Sequence, residues 1–469
     1  MSKRDLSRSE LLNSDTDGGD VRPTTKQRQR SPTPPQPHTL AYPALTAPSG
    51  PAPAFQQPTQ IISFSYTPAR ELEFTDSALR YLASPPPRAK LAHGYNRWVR
   101  RPETRPRLDG LLRALSAART KRHPALANGF GAVAWRGVLT RILTAPYEER
   151  DGWEMNVMCV DGVLYFEEHL DEARLREKND IVPRLRLQAY FGYAFESYCT
   201  SETPSAGNAP RVNVPQAPGE PPGWSGDVNT NVQWCSVVRT KLGDTRLVIG
   251  GEVDCVRGKY TGQTDTFVEL KTSMVIRNTR DEARFEKKLL KFYMQSFLLG
   301  VPEILVGFRT PAGEVSTMQT FRTVEIPRLV RGKPHGWEPA RCLAWGDGVL
   351  GFLKRWVGKR GDNERGQTEE GGQSEKGDGE GTGEEQQEEE TRREAHPDAA
   401  VWRLTFRPGV GVELRKLDDA AVQDVEGGEG DKEEVDRVGF LPRWYWEEVT
   451  APANGNAGVG EGKANGKQG

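Results

Sequence analysis

Two short acidic stretches of the sequence combine residue types that can hold a metal ion and activate water. Glu252-Val253-Asp254 is followed, after a gap of about fifteen residues, by Glu269-Leu270-Lys271. Residues two apart in a strand share a face, so Glu252 and Asp254 are predicted to point one way on one strand. Glu269 and Lys271 are predicted to share a face of a second strand, and pairing the two strands would gather three carboxylates and an ammonium.

Such a cluster requires a cation. Carboxylates within a few ångströms repel one another and raise each other's pKa values unless a hard divalent ion with oxygen ligands neutralises them. Two Mg²⁺ or Mn²⁺ ions would meet this requirement. The carboxylates would hold the ions, and Lys271 would orient or help to deprotonate water, as metal-dependent phosphodiester hydrolysis requires. The alternative is an antiparallel pair of strands whose charges face solvent.

A helix can add a fourth acidic ligand. Apolar residues recur at intervals of three and four over 182–198, which predicts a helix. Glu196 interrupts its aromatic surface, and its carboxylate could turn inward toward the acidic strands. The alternative is a solvent-facing glutamate at the end of an amphipathic helix.

A candidate phosphate-binding arginine lies in an apolar run. The alternation of residues over 129–143 predicts a strand that places Arg136 among small and apolar neighbours. An arginine in that setting is either buried against an acidic partner or held ready for a phosphate, which its planar fork grips bidentately. The sequence leaves both alternatives open.

A second predicted helix, over 281–299, ends at Gly300 and Pro302. One face of this helix carries Arg284, Lys288, Lys291 and Gln295. A basic line of this kind can follow a phosphate backbone, with each contact adding to a salt-dependent affinity. The alternative is the ordinary solvated face of a surface helix.

Composition predicts that the folded part is concentrated in one stretch. Only 36% of the 469 residues are hydrophobic, and the formal net charge is -1, so any basic surface must be local. We predict a disordered Pro- and Ser-rich tail over 1–58, a single catalytic domain over 59–450 with a disordered acidic insertion over 358–395, and a second disordered tail over 451–469. The five cysteines form no CxxC pair, and no apolar run is long enough to predict a membrane span.

Several motifs together resemble those of the DXO-type RNA 5′-end decapping nucleases, specifically the fungal branch that partners the nuclear 5′→3′ exoribonuclease. The order and spacing of four segments carry this resemblance: Gly192-Tyr193-Ala194-Phe195-Glu196, Gly251-Glu252-Val253-Asp254, Glu269-Leu270-Lys271-Thr272 and Phe292-Tyr293-Met294-Gln295-Ser296-Phe297. Trp135-Arg136-Gly137 and Phe440-Leu441-Pro442-Arg443-Trp444 are similar too. The match covers roughly 61–357 and 401–449.

The resemblance implies an α+β fold of two packed mixed β-sheets flanked by helices, with a core like that of metal-dependent nucleases and a site in the cleft between the sheets. It implies that divalent metal is bound by Glu196, Glu252, Asp254, Glu269 and the main-chain carbonyl of Leu270. Lys271 and Gln295 would position water and the scissile phosphate, and Arg136 would hold the 5′ phosphates. These three residues and Glu196 are the expected contacts with substrate.

The implied activity is hydrolysis of aberrant RNA 5′ ends, whether triphosphorylated, incompletely capped or NAD-capped, to leave a monophosphate for a nuclear 5′→3′ exoribonuclease. Nuclear location and partnership with that exoribonuclease follow from the same resemblance. A different class of function is a non-catalytic partner that stabilises the exonuclease and carries a vestigial site. Retention of every carboxylate and of the lysine favours the enzyme.

Overall fold

The computed structural model describes residues 37–44, 50–121, 130–204, 218–358, 399–427 and 435–451, all within one compact unit. Its strands are β1 His38–Ala41, β2 Thr59–Tyr66, β3 Leu72–Glu73, β4 Tyr81–Leu82, β5 Ala132–Trp135, β6 Trp153–Val160, β7 Val163–Glu168, β8 Thr200–Ser201, β9 Gln233–Leu242, β10 Thr245–Glu252, β11 Cys255–Val256, β12 Phe267–Met274, β13 Glu303–Arg309, β14 Val315–Arg322, β15 Trp402–Arg407, β16 Gly411–Lys416, β17 Arg437–Val438 and β18 Leu441–Pro442.

The α-helices flank these strands. They are α1 Asp109–Lys121, α2 Arg136–Thr144, α3 Glu172–Asn179, α4 Pro183–Cys199, α5 Thr279–Leu299, α6 Ile326–Val330, α7 Pro339–Val357, α8 Asp419–Glu426 and α9 Arg443–Thr450. Among the described helices, none is both long and apolar enough to cross a membrane. The predicted helices over 182–198 and 281–299 are confirmed as α4 and α5.

Among the described residues, ten strands form the first sheet, in the order β1-β16-β15-β6-β7-β5-β10-β9-β2-β3. The short strand β5 runs parallel to β7 and β10, whereas the other pairs are antiparallel. Successive side chains of β10 alternate between two cores: Leu247 and Ile249 pack on the side of α2, α5 and α7, and Val248 packs on the side of α1 and α9. Burial of both faces explains why the interior strands are almost continuously apolar.

Six of the described strands form the second sheet, in the order β14-β13-β12-β11-β4-β8, and α4 packs against it. Strand β12 is antiparallel to β11 and parallel to β13. The chain passes from the first sheet to the second between β10 and β11, through Val253 and Asp254. The predicted architecture of two mixed sheets with flanking helices is confirmed.

The predicted strand over 129–143 is wrong beyond Trp135, where α2 begins at Arg136. The residues over 129–143 fit the two-residue alternation of a strand. They also fit a helix, because apolar residues recur at three and four residue intervals at Val138, Leu139, Ile142 and Leu143. These residues are buried against α5 and α7. Helical packing therefore decides the conformation, because period-2 and period-3.6 patterns are not distinguishable in a short apolar run.

The predicted disordered tail over 1–58 is wrong at His38–Ala41. These residues form β1, which pairs antiparallel with β16, and the His38 ring stacks on Trp356 with centroids 3.6 Å apart. Four residues give too short a pattern to be recognised beside proline-rich sequence, and the pairing strand is distant in the chain. Most of the predicted acidic insertion and of the predicted tail over 451–469 lies outside the described residues.

Candidate active site

Glu252 is the last residue of β10, and Asp254 lies in the link to β11. The prediction that both occupy one continuous strand is therefore wrong. The Val253 amide donates to the Trp234 carbonyl at 3.0 Å, which continues the pairing with β9 for one more residue. Beyond that residue the chain changes sheets, so one carboxylate belongs to the end of the first sheet and the other to the entry of the second.

Glu269 lies at the centre of the site on β12, and its side chain is fully buried. Arg136 Nη1 donates to Glu269 Oε2 at 2.8 Å, and Lys271 Nζ donates to Glu269 Oε1 at 2.6 Å. Burial alone raises the pKa of Glu269, but the charges of Arg136 and Lys271 outweigh burial and lower the pKa to about 2. Glu269 is therefore ionised and held by two cations.

The fold brings Arg136 to this carboxylate through the pairing of β5 with β10. Trp135 is opposite Gly250 in that parallel pair, so the first residue of α2 emerges beside Gly251. A Cβ atom on Gly251 would lie 3.1 Å from Arg136 Cβ, which shows how closely the two backbones approach. Of the two alternatives left open by the sequence, this structure shows the arginine paired with an acidic residue.

Asp254 joins the two acidic motifs directly. The Leu270 amide donates to Asp254 Oδ2 at 2.6 Å. Burial and the charges of Glu269 and Glu252 raise the pKa of Asp254 to about 7, against the opposing effect of Lys271. Leu270 itself is 3% exposed, so its main chain lies at the site while its side chain is in the core.

Glu196 approaches from α4. Phe195, its neighbour, packs against Gly307 of β13, where a Cβ atom would lie only 2.5 Å from the ring, and this contact seats α4 on the second sheet. Burial and the charges of Asp254 and Glu252 raise the pKa of Glu196 well above its ordinary value. Among the described residues the Glu196 carboxylate has no hydrogen-bond or ion-pair partner.

Sequence reasoning missed the polar residues that hold Glu252. Gln233 Nε2 donates to Glu252 Oε2 at 2.7 Å. The side-chain oxygen of Gln233, Oε1, accepts from Arg70 at 2.6 Å and from Arg101 at 3.2 Å. Burial raises the pKa of Glu252, although the charges of Arg136 and Arg101 oppose this. Isolated arginines in loops have no periodic signal, so only the three-dimensional arrangement identifies them.

Gln295 lies in α5, half-buried, one helical turn before Leu299. A Cβ atom on Gly251 would be 2.6 Å from Leu299 Cδ1, so this end of α5 passes the end of β10 that carries Glu252. Residues four apart share a helix face. Gln295 thus lies near the face of α5 that passes β10, and no described hydrogen bond joins it to the carboxylates.

The donor chemistry of the site fits a divalent metal. The buried carboxylate of Glu269 and the half-buried carboxylates of Glu196, Glu252 and Asp254 lie with two cations, Arg136 and Lys271. Hard oxygen donors with excess negative charge suit Mg²⁺ or Mn²⁺. Within the described part of the chain, no three such side chains are close enough to hold an ion as they stand. Binding of an ion by three or more of these carboxylates would therefore require side-chain rearrangement.

A cavity of about 250 Å³ opens beside Glu196 and Glu252. Its wall includes the aromatic rings of Trp98 and Tyr193, and its basic residues are Arg80, Arg100, Arg101 and Arg186. Guanidinium groups bind phosphates and aromatic rings stack on bases, so this lining suits a nucleotide. The same lining contains Glu103, Glu196, Asp227 and Glu252, so the cavity is polar and its four arginines are balanced by four acidic residues.

The basic line predicted on α5 is only partly available to a phosphate backbone. Lys291 pairs with Glu148 at 3.2 Å, and Arg284 pairs with Asp281 at 3.6 Å. Lys288 has no acidic partner among the described residues. The three cations are exposed, as both alternatives require.

A family model described as RAI1 like PD-(D/E)XK nuclease matches residues 56–446. The chain belongs to this nuclease family. The predicted resemblance and the prediction of a hydrolytic enzyme are confirmed by that match, which includes every predicted site residue.

Individual members of the RAI1-like family are similar over most of the chain. The "Decapping nuclease RAI1" of Mycosarcoma maydis is 37% identical over 481 aligned residues, which cover 88% of this chain and 92% of the relative. The "Decapping and exoribonuclease protein" of Rattus norvegicus is 37% identical over 66% of this chain and 77% of the relative. The crystal structure of Candida albicans Rai1 in complex with pU5 and Mn²⁺ has a TM-score of 0.66 at 22% identity and covers 88% of this chain and 99% of that one, which shows a shared fold.

Proposed function

We propose that this protein is a divalent-metal-dependent hydrolase that removes aberrant RNA 5′ ends. Its substrates would be RNAs with a 5′ triphosphate, an incompletely methylated cap or an NAD cap, and its product a 5′ monophosphate. The observation that carries the proposal is the cluster of one buried and three half-buried carboxylates around Arg136 and Lys271, at the junction of the two sheets. The relatives named decapping nucleases support the choice of RNA 5′ ends.

Glu196, Glu252, Asp254, Glu269 and the Leu270 carbonyl would hold one or two Mg²⁺ or Mn²⁺ ions. A bound ion would supply Lewis-acid stabilisation and lower the pKa of a coordinated water. Mn²⁺ is the first ion to test, because the Candida albicans protein of the same fold was crystallised in complex with it.

The side chains of the chain itself would orient the substrate. Arg136 can exchange its bond to Glu269 for the 5′ phosphates, because a guanidinium binds both carboxylate and phosphate oxygens. Lys271, whose pKa is raised by Glu269 and Asp254 against the effect of burial, keeps its proton and would stabilise charge on the scissile phosphate or orient water. Gln295 would add a neutral hydrogen bond to the same phosphate or water.

The test is direct. Purified protein is incubated with Mg²⁺ or Mn²⁺ and matched RNAs bearing a triphosphate, an unmethylated cap or an NAD cap, and the released product is identified. Asp254→Asn is the control, because it keeps an acceptor for the Leu270 amide while removing a charge. Release of pyrophosphate, cap nucleotide or NAD fragments only by the unaltered protein supports the proposal. Absence of hydrolysis of all three RNAs with both ions would refute it and favour the non-catalytic alternative.

Partnership with a nuclear 5′→3′ exoribonuclease and nuclear location belong to the same proposal and rest on the resemblance. A monophosphorylated product is the chemical form that such an exonuclease consumes, which gives the partnership a functional reason. Co-purification of the two proteins from nuclear extract, compared with cytoplasmic extract, tests both expectations together.

A further inference from the structure

A second cavity, of about 1530 Å³, lies between α5, the C-terminal end of β12 and the segment that links α6 to α7. None of the predicted site residues lines it. Ser273 of β12 does, and it lies two residues beyond Lys271, which corresponds to about 7 Å along a strand. The cavity is therefore separate from the carboxylate cluster but adjoins it along one strand.

The lining of this cavity is strongly basic. Its described lining contains ten lysines and arginines and four aspartates and glutamates, and Lys333 pairs with two further glutamates, Glu282 and Glu286. Ten cations against six acidic residues leave an excess of four positive charges, whereas the whole chain has a net charge of -1. A local excess of this size on a nearly neutral protein attracts polyanions and concentrates them at one surface. We call this cavity the basic groove.

Some of the cations in the basic groove are neutralised by the protein and others are not. Lys287 pairs with Glu149 at 3.1 Å, and Lys291 pairs with Glu148. Lys288 and Arg331 are exposed and have no acidic partner among the described residues. Although Lys288 reaches solvent, partial desolvation of its side chain together with the like charge of nearby Arg309 lowers its pKa. An added anion would relieve this repulsion.

A buried arginine at the same end of β12 has unused donor capacity. Arg309 is 8% exposed, and its Nη1 donates to Met274 Sδ at 3.3 Å and to the Thr310 carbonyl at 3.4 Å. Its buried Nε has no hydrogen-bond partner within the described part of the chain. Arg309 does not line the basic groove, but Met274, to which it donates, does, and no described carboxylate pairs with Arg309 there.

We propose that the basic groove binds the phosphates of the RNA body downstream of the 5′ end that the active site hydrolyses. This inference rests on the proposed function, because the continuity of the groove with β12 matters only if an RNA end occupies the site. A flexible single strand suits the groove, since its backbone can follow a curved line of charges and sequence readout is not required. Lys288 and Arg331 would be the principal contacts, because each is free to pair with a phosphate.

The experiment measures binding and not turnover. Dissociation constants are determined in EDTA across a salt series for 5′-monophosphate RNAs of about three and about twenty nucleotides. The groove variant is Lys288→Gln with Arg331→Gln. The matched control is Lys416→Gln with Arg113→Gln, which removes one exposed lysine and one exposed arginine that have no described acidic partner and lie outside the groove.

For the long RNA, the slope of log affinity against log salt should decrease by about 0.7 for each charge removed, or about 1.4 for the groove variant. The control should keep the unaltered slope, and the short RNA should bind all three proteins alike. An unchanged slope in the groove variant, or an equal change in the control, would overturn the inference. Because no hydrolysis is measured, loss of the proposed enzymatic activity would not be mistaken for failure of the groove.

Discussion

Replacing Gly251 tests whether the end of β10, the start of α2 and the end of α5 are packed as closely as the structure shows. In Gly251→Ala the new Cβ atom would lie 2.6 Å from Leu299 Cδ1 and 3.1 Å from Arg136 Cβ. Leu299 is fully buried and Arg136 is tied to Glu269, so neither can move freely. Overpacking of this kind typically costs about 1 to 3 kcal/mol of unfolding free energy.

In Gly251→Ala the hydrolysis rate should fall by a larger factor than the loss of unfolding free energy alone would explain. A displaced Arg136 no longer holds Glu269 or a 5′ phosphate correctly, and a shift of about 1 Å at a reacting centre can reduce the rate by about 100-fold. The assays are the melting temperature and the single-turnover rate of triphosphate removal from RNA, at a temperature where the variant remains folded.

Gly137→Ala is the matched control. Gly137 follows Arg136 in α2, and a Cβ atom there would meet nothing within 4 Å. Alanine also favours the helix by up to about 1 kcal/mol, so stability should be unchanged or higher and activity retained. If Gly251→Ala keeps the unaltered melting temperature and rate, or if both glycine variants lose them equally, the close packing inferred around Arg136 is wrong.

Four other perturbations have defined outcomes. Lys271→Ala should lower single-turnover hydrolysis by roughly 100-fold or more while leaving the salt dependence of RNA binding unchanged, because Lys271 acts at the reacting phosphate or water; an unaltered rate would contradict this. Glu252→Gln and Asp254→Asn should each abolish hydrolysis without lowering the melting temperature in EDTA, since each removes one of several repelling charges, and a drop of several degrees would mark a structural role. Deleting 358–393 should leave hydrolysis of short RNA nearly unchanged, and lost activity with a retained circular dichroism spectrum would show that the insertion reaches the site. Burial and a nearby arginine lower the pKa of His169 to about 4, whereas the pKa of a histidine in the unfolded chain is near 6.5. The neutral histidine therefore contributes fully to stability above about pH 6.5, and this contribution is lost as the pH falls toward 4. When the pH is lowered from about 7.5 to about 5, the free energy of unfolding measured in urea should fall by about 2 kcal/mol less for His169→Gln than for the unaltered protein.

The proximity of the two acidic motifs was easier to predict from the sequence than the backbone that carries them. Glu269 and Lys271 lie together on β12 because strand alternation is a local property that tertiary packing did not alter. Alternation failed for Glu252 and Asp254, where the chain changes sheets, since nothing local distinguishes a strand end from a strand interior. Their proximity nevertheless survives, because residues two apart remain close whether or not the strand continues.

Long-range partners were beyond the reach of sequence patterns. Arg70 and Arg101 reach the site through Gln233, and each comes from a loop with no periodicity. The strand His38–Ala41 forms only because β16, near the other end of the chain, supplies its hydrogen bonds. Such features depend on contacts between segments that are distant in the chain, and the pattern of residues in a single sequence does not specify those contacts.

The passage of the chain between sheets at Val253 and Asp254 has a mechanical consequence. Glu252 moves with the first sheet, whereas Asp254 is hydrogen-bonded to Leu270 and so moves with the second. Any shear or separation of the two sheets is therefore transmitted over one intervening residue to the distance between two carboxylates. Protection of the Leu270 amide from hydrogen exchange should accordingly report on the docking of the sheets. A ligand that binds between the sheets should change the exchange rate of this amide.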